Sequence, residues 1–355
     1  MTLVGRSLAS RYSLDGARLR SGPRPSSSQM GIQKMKCNLH HLAAAIAVVL
    51  SASPSVHAAS ITAPAGDTIS IGGLSLVLGN GSGTLTYSPG SSFDGTDPNT
   101  LGGLLGALNV GNIQVRDING VVTQPAYIDD EVGSPVRVGL TAKAQVSGYT
   151  VDTTTGQILD VSSTGGVEHL GTRIRGTLTG GVATVTNLRF DLQQGLVYAD
   201  LNGTKAAVGT NPAVNFNLLN TALWTIGNVT GPTTIDPAAL TLTGQSRIDA
   251  LAAAGFTFSS ASAYDVFTAT NVISGLKVTQ AGFDFFRSSL GLLSTGVNAL
   301  SAVNDDPMGW GSVTSTFQFK VPILTPAIPE PSSYAMIGVG LLVVGGTLRA
   351  RRRAQ

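Results

Sequence analysis

The chain has 355 residues, a formal net charge of +2, 12% charged residues, 44 glycines and one cysteine. A length of this kind admits one large or two smaller domains, and a single cysteine excludes a disulfide framework and any cysteine-rich zinc site. The charge is unevenly spread: residues 1–58 carry seven basic and one acidic side chain, residues 59–327 carry 11 and 18, and residues 328–355 carry four and one. The middle is therefore acidic, which disfavours nucleic-acid binding through a basic face.

Lys34 and Lys36 precede the apolar run Leu42–Leu50, and Val56-His57-Ala58 places small residues where a signal peptidase reads them. This is the layout of a secretory signal peptide, with cleavage expected between Ala58 and Ala59. Residues 1–29 hold five arginines and no core-forming pattern, and read as an upstream extension. Cys37 precedes the apolar run, so it is not placed for lipidation, and the exported part has no thiol.

Period-two alternation dominates residues 59–327, the mark of half-buried strands. Val136, Val138, Leu140, Ala142, Ala144 and Val146 alternate with polar residues, Asp152–Gly156 turns the chain, and Gln157–Val161 returns. Residues 173–179 and 182–186 flank Gly180-Gly181, which reads as a hairpin because glycine accepts the positive φ of two-residue turns. The strand continues through Leu188, Phe190 and Leu192. Gln193-Gln-Gly195 then turns, and Val197, Ala199 and Leu201 form the next inward row. Further strands are expected at 68–78, 84–87, 113–117, 240–243, 275–279 and 313–321. Helices are expected at 246–254, with Ser246 and Asp249 close to a capping box, and at 280–290. The fold class is mainly β: an antiparallel β-sandwich or β-roll with two or three short helices, beside an N-terminal signal helix and a C-terminal transmembrane helix.

The exported part has one histidine, His169, expected at the surface near a strand end. Its neighbour Glu168 points to the opposite strand face and cannot orient it, and no Gly-x-Ser-x-Gly elbow is present. With one histidine and no cysteine, zinc chemistry is disfavoured. No catalytic residue is assigned, and an envelope hydrolase stands third among the readings. Calcium is the one cofactor left open. Its candidate ligands are Asp94 and Asp97 in one acidic turn and Asp129, Asp130 and Glu131 in another, with Asp305 and Asp306 forming a third cluster. The alternative is that these carboxylates simply hold turns. Tyr127, Tyr149, Tyr198, Tyr264, Trp224 and Trp310 are candidates for stacking on sugar rings, against edge packing of a β core. Thr186–Leu192 with Val197–Asp200 resembles HtaA-type haem-binding domains of bacterial surface proteins over fewer than 20 residues. That resemblance implies a haem ligand set in which a tyrosine joins His169.

The tail reads Pro329-Glu330-Pro331, then Ser332–Leu348 without a charge, then Arg349, Arg351, Arg352 and Arg353. Seventeen apolar or neutral residues reach the lower limit for a membrane-spanning helix, and the arginines should stay cytoplasmic. The order of triplet, Gly-spotted apolar run and basic end resembles the PEP-CTERM sorting signal of bacterial envelope proteins. The resemblance implies an exosortase as processing partner, after signal peptidase, and a setting of extracellular polysaccharide or biofilm matrix. It implies a precursor anchored in the inner membrane with a periplasmic domain, released to the cell surface or matrix. The expected organisation is thus a signal region at 1–58, a β-rich domain at 59–327 and a sorting segment at 328–355. The leading reading is a non-enzymatic matrix protein; the alternative is a surface module that binds polysaccharide or calcium.

Overall fold

The structure, a computed structural model, describes residues 59–261 and 263–323. The first strands are β1 (Ser60–Pro64), β2 (Thr68–Ile71), β3 (Leu74–Leu78) and β4 (Ser82–Tyr87), followed by helix α1 (Gly103–Val110). Then come β5 (Gln114–Ile118), β6 (Val122–Asp129), β7 (Pro135–Asp152), β8 (Ile158–Ser163), β9 (Gly166–Gly171), β10 (Gly181–Asp191), β11 (Leu196–Lys205), β12 (Val214–Thr225) and β13 (Asn228–Thr230). Helices α2 (Pro237–Thr241) and α3 (Gln245–Ala253) lead to β14 (Thr257–Ala261), β15 (Tyr264–Ser274) and β16 (Lys277–Val278). Helices α4 (Gln280–Ser289) and α5 (Ser294–Asp305) precede the last strand, β17 (Gly311–Pro322).

All the strand pairs are antiparallel, and they form two sheets joined by β7. One sheet runs β6–β7–β4–β17–β15, with β3 and β2 at the end of β17, and β13 and β14 along β15. The other runs β1–β7–β8–β10–β11–β12, with β9 and β5 beside the first half of β10. β7 is 18 residues long. Its first half pairs with β6 and β4, and its second half with β8 and β1. The register slips between Val146 and Gly148, where the strand leaves one sheet for the other.

The inward rows of both sheets meet in one buried cluster, where Leu85, Ala142 and Val313 face Ala183, Val197 and Leu201. A second cluster is built on aromatics. Phe319 is fully buried, stacks on Phe267 at 5.3 Å between centroids and meets Phe256 edge-on at 5.3 Å. Helix α4 closes over β10–β12, and this approach needs glycine. A Cβ on Gly203 would lie 2.4 Å from the Ser289 Cβ, and one on Gly181 would lie 2.0 Å from the Ser289 carbonyl oxygen.

The mainly β, antiparallel class expected from the sequence is present, with five short α-helices where two or three were expected. Several local expectations fail. Residues 173–179 form no strand; β10 pairs with β9, and Gly181 serves contact with α4 instead of a hairpin. The single strand expected over 68–78 is a hairpin, folded at Gly72 and Gly73, both with positive φ. The strand expected at 240–243 is replaced by α2, because Asp236 caps the Ala238 N–H and Pro237 starts the helix. Helix α3 forms without the capping box; Asp249 accepts from Gln245 Nε2 instead. The signal helix and the tail helix lie outside the described residues. Among the described residues no helix is long and apolar enough to cross a membrane.

Phe319 is the joint of the aromatic cluster, so Phe319→Ala should cost about 3–5 kcal/mol. A urea denaturation midpoint within error of the unchanged protein would show that the cluster does not carry the fold.

Candidate functional site

The polar residues that face the interior are the place to look for chemistry. β4 ends with Tyr87 and β9 carries His169, on the same inward parity as Leu85 and Val167. Both side chains are buried, with ring centroids 6.5 Å apart. Phe286 of α4 meets the imidazole edge-on at 5.6 Å, and Trp310 packs on Phe286 at 5.1 Å. His169 Nδ1 lies 3.2 Å from the Ala183 carbonyl oxygen, which makes it the protonated ring nitrogen of a neutral imidazole. Arg137 of β7 stands near both groups. It donates through Nη2 to Asn109 Oδ1 at 3.3 Å, while Asn109 Nδ2 returns a bond to the Arg137 carbonyl at 2.8 Å. This exchange ties α1 to β7 above the Tyr87–His169 pair.

Burial dominates the electrostatics. It pushes His169 down to about 4, opposed by the Ala183 carbonyl and aided by the Arg137 charge. It raises the Tyr87 phenol well above its ordinary value, and pushes Tyr149 up to about 12. Desolvation also lowers Arg137.

Two small cavities border His169. One of about 50 Å³ is walled by Tyr87, Leu104, Trp224, Phe286 and Trp310; one of about 40 Å³ lies under α1, α4 and α5. A third, of about 70 Å³, separates the sheets beside Tyr149, Phe190, Asn271 and Phe317. Tyr149 Oη, Asn271 Oδ1 and Trp224 Nε1 are buried on these walls without a protein hydrogen-bond partner. The Tyr87–His169 pair could supply oxygen and nitrogen donors to a haem iron. The cavities that border His169 do not fit, since cofactor pockets span roughly 300–1,000 Å³, and the open groove of about 450 Å³ beside Tyr87 is not lined by His169.

The calcium candidates do not converge; among the described residues no three of His, Cys, Asp and Glu come together. Asp94 Oδ1 accepts from Thr96 N, Thr96 Oγ1 and Asp97 N, and these bonds, led by the Asp97 N–H, hold its carboxyl below the usual range. Asp97 caps the 3-10 turn at Pro98–Thr100. Asp130 Oδ1 accepts from Val132 N and Ser134 N, Asp129 ends β6 opposite Pro135, and Glu131 is exposed in the turn. Burial raises the Asp306 carboxyl, but the bonds it accepts from Ser91 N, Ser91 Oγ and Met308 N together hold it below the usual range.

The aromatic candidates separate. Trp224, Trp310 and Tyr149 are buried, so they cannot stack on a sugar. Tyr198 is covered by the Arg189 guanidinium 4.2 Å above its ring, and Tyr127 stands alone and 58% exposed on β6. His169 departs from its expected place at the surface and is buried. The parity of Val167, His169 and Gly171 was the signal for its burial, and the alternation across Leu85 and Tyr87 the signal for its partner. Of the processing residues, Ala59 is described: its carbonyl accepts from Thr153 N and Oγ1. Val56, Ala58, Pro329, Glu330, Pro331, Arg349, Arg351, Arg352 and Arg353 lie outside the described residues.

No family model and no curated protein matches the chain. Among solved structures, it is similar to the heme-binding protein HtaB from Corynebacterium glutamicum, at 15% identity and a TM-score of 0.28, over 69% of this chain and 94% of that one. A likeness at that level carries no argument.

His169 makes stability depend on pH. The unfolded chain protonates it near pH 6.5, whereas the folded protein resists until about 4. Between those values only the unfolded state gains the proton, so stability falls as pH falls, by about 3 kcal/mol in full. Urea titrations between pH 7 and 4 should show a shallower decline for His169→Gln than for the unchanged protein. Parallel declines would refute the buried, neutral histidine.

Proposed function

We propose that this is an exported envelope or extracellular-matrix protein, processed at its Pro-Glu-Pro tail and serving a structural or adhesive role without catalysis. The observation that carries the role is the outer face of the β6–β7–β4–β17–β15 sheet. Thr141, Thr86 and Ser312 form one cross-strand row, and Lys143, Thr84 and Thr314, flanked by Val122 and Val272, the next. Gln145, Ser82, Thr316 and Thr270 form a third. Hydroxyl and amide groups face outward while the aromatics face the core. A surface of this kind supports broad hydrogen bonding to a hydrated matrix such as polysaccharide better than a pocket for one ligand.

The tail supports the sorting part of this reading. The last strand ends at Pro322, seven residues ahead of Pro329, a span of at most about 25 Å of extended chain. In this reading an exosortase acts at the Pro-Glu-Pro triplet, a short stretch of chain beyond the folded part. Replacing Pro329, Glu330 and Pro331 by alanine should trap full-length precursor in the membrane, while the unmodified protein loses its C-terminal end. An immunoblot with one tag inside the folded part and one after Gln355 reads both. Retention of both tags by both proteins at steady state would leave the tail as an anchor alone and end the sorting reading.

A second reading, haem binding, has the Tyr87–His169 pair behind it and the cavity volumes against it. It requires the small cavities beside His169 to widen. Hemin added to the purified protein should then give a Soret band that Tyr87→Phe removes. An unchanged hemin spectrum would dispose of this reading and leave the structural one standing.

A further inference from the structure

One strand edge lacks the features that normally block pairing. β12 pairs with β11 from Val214 to Thr225, and β16 meets only Trp224 and Thr225. Among the described residues no backbone group pairs with the other edge of β12 from Val214 to Thr221. Other outer strands are blocked or short: β6 contains Pro125 and Asp129, β1 ends in Pro64, β5 contains Arg116 and Asp117, and the uncharged β2, β13 and β14 are no longer than five residues. β12 reads Val-Asn-Phe-Asn-Leu-Leu-Asn-Thr-Ala-Leu-Trp-Thr, twelve residues without a charge, a proline or a glycine. On it Val214, Leu218 and Leu219 are 45%, 40% and 68% exposed. A long, uncharged edge that presents apolar side chains is a template for another strand.

We propose that β12 pairs antiparallel with β12 of a second copy, within residues 214–219 and across a two-fold axis at Phe216 or Asn217, where that residue meets its own copy.

The occupant follows from charge. Residues 59–327 carry an excess of acidic groups, so two copies repel over most of their surface. β12 itself opposes no like charges when laid against itself. Its two ends differ in sign. Lys205 and Arg287 border a groove with Val214 and Phe216, and neither takes part in an ion pair among the described residues. At the other end Asp200 accepts the Asn220 N–H. Antiparallel pairing sets the cationic end of each copy towards the partner's acidic end, whereas parallel pairing would bring like ends together. The limit of the pairing is also set. Asn220 has φ 45°, and the register with β11 slips there, so a bulge stops the ladder after residue 219. A two-fold contact of one edge with itself closes at two copies and does not propagate.

The inference concerns association alone and does not rest on the sorting reading. The full-length chain, carrying Cys37→Ser so that no other thiol is present, is purified in mild detergent. A single cysteine is placed in turn at Asn215, Phe216, Asn217, Leu218 and Leu219. Mild oxidation and a non-reducing gel follow. Only the residue at the axis faces its own copy within disulfide reach, so one position should cross-link roughly tenfold more than those two residues away. By light scattering the protein without added cysteine should be a dimer, and Leu219→Lys and Asn217→Lys should each be monomeric with an unchanged melting temperature. A monomer at micromolar concentration would overturn the proposal. So would a dimer that survives both lysine variants and cross-links evenly at all five positions, which would place the contact elsewhere, the tail included.

Discussion

The double membership of β7 is the constraint on which the rest of the fold depends. One continuous strand supplies Leu140 and Ala142 to the inner face of one sheet and Tyr149 and Val151 to the interior beside the other. The change of sheet happens at the slip between Val146 and Gly148, where a Cβ on Gly148 would stand 3.1 Å from the Ala63 carbonyl oxygen. Because covalent geometry fixes that crossing, the two sheets cannot slide past each other without losing register along 18 residues. Everything further out is arranged on this corner. β4 and β17 extend one sheet, β8 and β10 extend the other, and the two core clusters fill the space between.

What was legible in the sequence follows from which signals are local. The β7 alternation, the inward row of Val197, Ala199 and Leu201, and helix α4 with Gly291 beyond it were all readable, because each is fixed by its own pattern and cap. The Gly180-Gly181 pair misled because glycine meets two demands that look alike in a sequence. It permits a turn, and it permits a close approach; here the Ser289 carbonyl needs the second. β12 was not legible, since its alternation is broken by the Asn220 bulge and its side chains are largely exposed. Residues 240–243 were read as a strand from their Leu-Thr-Leu-Thr alternation. Asp236 and Pro237 overrode that pattern by starting a helix upstream.

The candidate site was less legible than the fold, for a physical reason. The burial of His169 depends on long-range pairing with β10 and β5, and on α4 arriving from residues 280–289 to cover it. A sequence shows the parity of a residue but not what lies over its face. The same holds for Trp224 and Trp310, which lie beside turns in the chain yet pack together at 5.9 Å in the core. The acidic turns were legible only as turns, and the Asp94, Asp97 and Asp130 carboxylates are occupied by backbone N–H groups two to four residues onward.

The distribution of polar groups joins these features into one argument. Inside, the buried Arg247 is held by the Leu242 carbonyl and Asp265, and the half-buried Arg189 is fixed between Asp160 and the Tyr198 ring. Outside, one sheet face offers rows of Ser, Thr and Gln with few charges. Exposed hydroxyls interact weakly one at a time, so a surface of this type gains strength only when many contacts act together. Pairing two β12 edges would present two such faces on one rigid body without any new ligand pocket. The proposed adhesive role and the proposed edge pairing would therefore complement each other: the face would supply many weak contacts, and the edge the means of doubling them.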